Sequence, residues 1–188
     1  MVLLDVNSLE VGYKGIAVSE PISFTLGEKE LISIEGKNGS GKSTLIKTLL
    51  NNLKAVSGRF AWNIEMTAIA YLPQIASSDL NSSISVKEIY HLYDVSDDLW
   101  DFAGKHILEK KWIDLSGGEK QKVLLLTRIS PEINVLVLDE PYNHLDKPSC
   151  LDLKSMIEML ITKTSISMLI VSHQEMDYIV PKKKFVRM

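Results

Sequence analysis

Residues 36–43 read Gly36-Lys37-Asn38-Gly39-Ser40-Gly41-Lys42-Ser43, the spacing G-x-x-x-x-G-K-[ST]. Glycines at these intervals let backbone N–H groups turn inward and form a nest for phosphate oxygens. A helix starting behind them adds the positive end of its dipole. Lys42 has the reach for the β- and γ-phosphates, and the Ser43 hydroxyl suits Mg²⁺. The alternative is a glycine-rich turn that merely caps a helix. The flanks favour phosphate, because the apolar strand Leu31–Glu35 precedes the loop and the stripe Leu45, Ile46, Leu49, Leu50 follows it. On this reading the Lys42 ammonium faces phosphates and not the core. A second chemical pair closes an apolar run: Val135-Leu136-Val137-Leu138-Asp139-Glu140. Four consecutive apolar residues mark a strand buried on both faces. Ligands of open α/β sheets bind at the C-terminal edge of such strands. There Asp139 would hold Mg²⁺ through water, and Glu140 would polarise an attacking water. The competing reading is two acids opening a surface loop.

These groups need a scaffold, and the rest of the chain supplies one. Alternation in Leu3–Tyr13 and Pro21–Leu26 predicts half-buried antiparallel strands. Gly58–Asn63 and Thr67–Leu72 read as two more strands. Ser85-Val86-Lys87-Glu88 is a capping box that opens a helix to about Tyr93. Asp97 and Asp98 suit the first turn of another, running to about Lys111. Residues 75–114 thus form a small helical insertion. Further helices are expected over Gly118–Ile129 and from Pro148 to about Thr162, and a buried strand over Ser167–Val171. A short helix and the strand Lys184–Arg187 end the chain. Strand–helix alternation gives an α/β core with a largely parallel sheet. The early antiparallel strands pack as a separate small sheet.

Composition narrows the class. The 188 residues are 45% apolar and 24% charged, with one cysteine and a formal charge of −3. That length fits one domain, 1–188. A disulfide scaffold is excluded, since Cys150 has no partner in the chain. The longest apolar run, Ala68–Leu72, is five residues, against about 18 for a membrane helix. No signal-peptide pattern opens the chain, and a reducing cytoplasm is the expected compartment. The acidic balance does not attract nucleic acid. Two basic clusters, Lys105/Lys110/Lys111 and Lys182/Lys183/Lys184/Arg187, read as solvated faces.

Leu115-Ser116-Gly117-Gly118-Glu119-Lys120-Gln121 resembles the signature motif of ABC-type ATPases, with Glu119 where Gln is also common. The other motifs of that family follow in order. Tyr13 resembles the residue that stacks on adenine, and Gln74 in Tyr71-Leu72-Pro73-Gln74 resembles the Q-loop. Leu145-Asp146 resembles the D-loop, and His173 the switch histidine. The resemblance runs from Leu3 to the C-terminus. It implies a P-loop NTPase core, a small antiparallel β subdomain and a helical subdomain over about 75–130 that carries the signature. It implies ATP and Mg²⁺ as ligands, with Tyr13, Gly36, Asn38, Gly39, Ser40, Gly41, Lys42, Ser43 and Thr44 on the nucleotide. Ser43, Gln74 and Asp139 would hold the metal, and Glu140, His173 and Gln74 would serve catalysis. In this family two domains meet head to tail, so Ser116, Gly117, Gly118, Glu119 and Asp146 would reach the nucleotide of a second domain. Each piece also has a bland reading: Ser116 with Glu119 is itself a capping box, and a Ser116 that caps its own helix is less free to bond phosphate.

The subfamily leaves three function classes. Only 32 positions separate Lys42 from Gln74, and Asn143-His144-Leu145-Asp146 resembles the ABC-F family of ribosome-associated ATPases. Both favour an ABC-F-like ATPase. Tyr142 departs from that pattern, where Thr is usual, and so does the lack of a second domain and linker. The missing second domain favours the alternative, the ATP-binding subunit of a membrane transporter, peripheral to the membrane beside its membrane subunit. An ATPase acting on DNA comes last, since the chain has no room for a long coiled coil.

Overall fold

A computed structural model describes residues 1–74 and 83–188. Five parallel strands form the main sheet in the order β10-β5-β9-β8-β7. They are β5 (Leu31–Glu35), β7 (Ile69–Leu72), β8 (Val135–Asp139), β9 (Ser167–Ser172) and β10 (Lys183–Arg187). Every residue of β5, β8 and β9 is buried, which is why these strands are rich in apolar residues on both faces. Their side chains alternate between two cores. Ile32, Ile34, Val135, Val137, Leu169 and Val171 point to one side. There they meet α1 (Lys42–Leu49) and a three-stranded antiparallel sheet. That sheet has β1 (Val2–Glu10) between β4 (Ile22–Gly27) and β6 (Ser57–Trp62). Leu31, Leu136, Leu138, Met168 and Ile170 point to the other side. Here lie α4 (Gly117–Leu126), α5 (Lys147–Lys163) and the insertion with α2 (Val86–Leu92) and α3 (Trp100–Ala103). The two-strand hairpin of β2 (Gly12–Tyr13) and β3 (Ile16–Ala17) projects separately.

The expected α/β core, the separate antiparallel sheet and the capping box at Ser85 are all present. Two expected helices are not. The one foreseen from Asp97 to Lys111 breaks after four residues of α3, because Gly104 takes φ 98° and ψ 124°. Beyond it the chain turns back and bonds the start of α2, with Val86 N–H on the Lys110 carbonyl at 3.0 Å and Lys87 N–H on that of Leu108 at 3.0 Å. No helix forms between His173 and β10. Backbone donors there go to side chains: His173 N–H to Glu140 at 3.1 Å, Gln174 N–H to Ser172 Oγ at 2.9 Å and Ile179 N–H to Glu158. The first part of the expected helical insertion, 75–82, lies outside the described residues. The basic clusters largely carry their own counter-ions: Lys105 pairs with Asp101, Lys110 with Glu119, Lys183 with Asp177, Lys184 with Glu30 and Arg187 with Glu175.

Candidate functional site

The segments after β5, β7 and β8 meet at one cavity of about 410 Å³. Its lining includes Tyr13, Asn38, Gly39, Gly41, Lys42, Ser43, Thr44, Gln74 and Glu140, all expected from the sequence. Val18 and Asn143 line it too. The loop 36–41 enters α1 through Gly41, which sits at φ 96°, a left-handed conformation that disfavours any side chain. No side chain caps α1, and its first turn holds no acid. Its first N–H groups are therefore left for a ligand. The Ser40 hydroxyl is buried and has no hydrogen-bond partner. An open helix terminus, an orphaned hydroxyl and an adjacent lysine fit a polyphosphate.

Lys42 departs from expectation. It is only 5% exposed, and its Nζ donates to the carbonyls of Gly36 at 2.7 Å and Lys37 at 3.0 Å. It also stands 3.4 Å from Glu140 Oε1. It is thus tied into the loop and into a buried ion pair, and not simply directed at phosphate.

Glu140 follows β8 at φ 49°, a strained conformation for a non-glycine residue. Such strain costs about 1–3 kcal/mol and gathers at functional sites. It turns the carboxylate from the strand into the cavity. Oε2 accepts the His173 N–H at 3.1 Å and lies 2.8 Å from His173 Nδ1. The ends of β8 and β9 and the start of α1 thus place a carboxylate, an imidazole and an ammonium in one contact chain. Asp139 lies one residue earlier on the other face. Its Oδ1 accepts from Ser43 Oγ at 3.4 Å and its Oδ2 from Tyr71 Oη at 3.2 Å. Burial pushes the Asp139 carboxyl above its ordinary range; the nearby Glu140 charge adds to this, against bonds from Tyr71 and Ser43 and the charge of Lys42. Burial, then Asp139, pushes the Tyr71 phenol up to about 12, so it stays a donor at neutral pH. Among the described residues no three His, Cys, Asp or Glu side chains are grouped to hold a metal alone. A Mg²⁺ ion here would take Ser43 and Asp139 oxygens and complete its shell from phosphate and water, which suits its preferences.

Tyr13 is 48% exposed at the cavity rim and accepts from Thr44 Oγ1 at 3.3 Å. Gln74 is exposed on the same cavity. The signature residues lie elsewhere and do not line it. Ser116 caps α4: its Oγ accepts from Glu119 N–H at 3.2 Å, and Glu119 accepts from Ser116 N–H at 2.8 Å. Burial raises the Glu119 carboxyl, but bonds from Lys110, at 2.8 Å, and Ser116 with the Lys110 charge outweigh it and hold the group below its ordinary range. Gly117 is exposed, and a β-carbon on Gly118 would sit 2.6 Å from Ser149 Cβ, so α4 meets the start of α5 through a glycine. Asp146 does not reach the cavity; it caps α5, accepting from Ser149 N–H at 3.0 Å. Tyr142, at the departure from the ABC-F pattern, is a core residue whose hydroxyl meets that of Tyr178 at 2.5 Å.

Sequence reading missed Tyr71, Val18 and Asn143 as site residues. Tyr71 had no local signal: its register with Val137, two positions before Asp139, exists only in the folded sheet. Val18 had none either, as a lone apolar residue in a loop.

Comparison with known proteins agrees with this geometry. The sequence pattern of the ABC transporter family matches residues 19–143. The zinc import ATP-binding protein ZnuC of Histophilus somni is 32% identical over 177 residues, covering 91% of this chain and 67% of that protein. ZnuC of Buchnera aphidicola is 28% identical over 190 residues, covering 98% and 79%. A solved structure from Pyrococcus furiosus, described as an ABC transporter ATP-binding protein, superposes with a TM-score of 0.73 at 29% identity, covering 97% of this chain and 96% of that one. The uncapped phosphate loop and the Glu140–His173 pair therefore sit in a chain that belongs to the ABC transporter family, as an ATP-binding domain that hydrolyses ATP.

Proposed function

We propose that this chain is the ATP-hydrolysing subunit of a membrane transporter and works as half of a head-to-tail pair. One observation supports the pairing: the signature helix, which the family resemblance assigns to a nucleotide phosphate, does not line the phosphate-loop cavity of its own chain. A second copy or a related domain would bring its Ser116 and Gly117 to the nucleotide held by the first, and a two-fold pair would complete two sites. The names of the relatives support the transporter role over the ABC-F role, for which the short Lys42–Gln74 spacing and the wording Asn143–Asp146 speak. Among the described residues no helix is long and apolar enough to cross a membrane, so the transport path would belong to partner subunits. The zinc of the relatives' names is the first cargo to test.

Catalysis on this reading is positioning and electrostatics. The loop amides, Ser40 and Lys42 hold phosphate oxygens. Ser43 and Asp139 would hold Mg²⁺, which would supply charge neutralisation when bound. The Glu140 carboxylate takes the proton of the attacking water. His173, bonded to the same carboxylate, fixes its direction, while Gln74 closes the cavity on the β7 side. Glu140→Gln tests this: the amide keeps shape but is a poor base, so turnover should fall by about 10²–10⁴. ATP binding should stay, and a nucleotide-bound dimer should accumulate on size exclusion. Turnover near wild type would remove Glu140 from the mechanism. Co-sedimentation with ribosomes, unchanged by ATP, would separate the transporter reading from ABC-F; an ATP-dependent shift would reverse the choice.

A further inference from the structure

The hydroxyl of Tyr71 has no part in the scheme above, yet it makes the contact best placed to control the metal. In the parallel sheet Tyr71 is in register with Val137 and Leu72 with Leu138. Alternate residues of a strand share a face, so Tyr71, Val137 and Asp139 all look toward α1. Val137 and the partly buried ring of Tyr71 pack into the same core as α1. Asp139 ends β8, beyond the last paired residue of β7. The phenol is long enough to bridge that gap, and Tyr71 Oη reaches Asp139 Oδ2 at 3.2 Å. The other oxygen, Oδ1, then faces Ser43 Oγ at 3.4 Å. The carboxylate is 5% exposed and lies beside Glu140, so its rotation would cost it both partners.

We propose that Tyr71 is a positioning residue for the divalent cation: by donating to Asp139 Oδ2 it holds Oδ1 on the Ser43 side, where the cation would bind. The inference rests on the proposed role of Asp139 and Ser43. Hydrogen-bond partners behind a ligating carboxylate orient it, and their loss typically weakens metal binding about 10–100-fold. Tyr71 also precedes Gln74 by three residues on the same segment. The sheet edge that carries Gln74 to the cavity therefore also carries the brace of Asp139.

The test measures binding, not turnover. Tyr71→Phe keeps the ring and its packing and removes one hydroxyl. A non-hydrolysable ATP analogue is titrated by calorimetry at a series of Mg²⁺ concentrations and in EDTA, with wild type, Tyr71→Phe and Asp139→Asn. The inference expects the Mg²⁺ needed for half-maximal enhancement to rise about tenfold in Tyr71→Phe, with affinity in EDTA unchanged. An unshifted Mg²⁺ dependence would overturn it. So would an equal loss with and without Mg²⁺, which marks a merely structural hydroxyl. Asp139→Asn separates the two levels. If it shifts the Mg²⁺ dependence and Tyr71→Phe does not, only the role of Tyr71 falls. If neither shifts it, the metal site itself is misassigned, and the inference falls with it.

Discussion

Two helices in this molecule begin at glycines beside a serine, and they are finished in opposite ways. At α1, Gly41 in a left-handed conformation leaves the terminus without a side-chain cap and without an acid in the first turn. At α4, Ser116 and Glu119 close a reciprocal capping box, and Lys110 holds Glu119 from outside. A bare terminus keeps a positive partial charge and unsatisfied donors. It is unfavourable alone and favourable around an anion. The closed terminus satisfies the Ser116 and Glu119 amides within the chain. The first leaves its donors open to a ligand, and the second is satisfied within the chain.

The largest effect should come from breaking the bare terminus. Lys42→Ala should abolish tight ATP binding. It should also lower stability, because the Glu140 carboxylate, 8% exposed, loses its buried cation. Removing one partner of a buried pair costs about 3–5 kcal/mol. His173 still contacts Glu140, so the low end is expected. Thermal melting without nucleotide gives the number, and Lys42→Ala/Glu140→Gln should recover part of the loss, since no unpaired charge then remains. An unchanged melting temperature for Lys42→Ala would mean the pair contributes nothing to the fold.

That prediction reverses what the sequence suggests, and the reason shows where legibility ends. Motif spacing names Lys42, Asp139 and Glu140, because each sits at a strand end or helix start that an apolar pattern reveals, while His173 is named only by the family resemblance. Spacing does not tell how these groups contact one another. The Lys42–Glu140 pair crosses from α1 to the end of β8 and depends on the positive φ of Glu140. Tyr71 was hidden for a similar reason: its partner is fixed by parallel register, which no local pattern encodes. The break at Gly104 was visible in principle as a glycine inside a helical stretch. The unwound run after His173 was not, because its donors are satisfied by residues as distant in sequence as Glu140 and Glu158.

A smaller effect on the fold, with a large one on assembly, is expected at the closed terminus. Ser116→Arg removes the cap hydroxyl, at a cost of about 1 kcal/mol. ATP binding to the single chain should be unchanged, because Ser116 does not line the cavity. ATP-driven dimerisation should be lost, since the arginine fills the space a partner's phosphate must enter. Mixing Ser116→Arg with Lys42→Ala chains should return part of the ATPase activity. One site in that pair joins the intact loop of the first to the intact signature of the second. Weakened ATP binding by the Ser116→Arg monomer would show instead that α4 acts on the nucleotide of its own chain.

The smallest effect isolates the outer support of the capping box. Lys110→Met removes the ammonium 2.8 Å from Glu119 Oε1 and keeps most of the apolar stem. Lys110 is 40% exposed and Glu119 15%, so a partly screened pair of about 0.2–1 kcal/mol is expected. Its pH dependence has a definite sign. The Glu119 carboxyl lies below its ordinary 4.5 in the folded chain. Its stabilisation is therefore fully present above the unfolded value and is lost as pH falls through the folded one. The gap in melting temperature between wild type and Lys110→Met should be steady at neutral pH and close below about pH 4. His106 Nε2 also stands 3.8 Å from Glu119, so both proteins should carry His106→Gln to keep a second cation out of the comparison. ATP binding by the monomer should not move in either. A gap that persists undiminished in acid would mean that Lys110 supports the helix through its stem and not its charge. The closed terminus would then rest on the Ser116–Glu119 box alone.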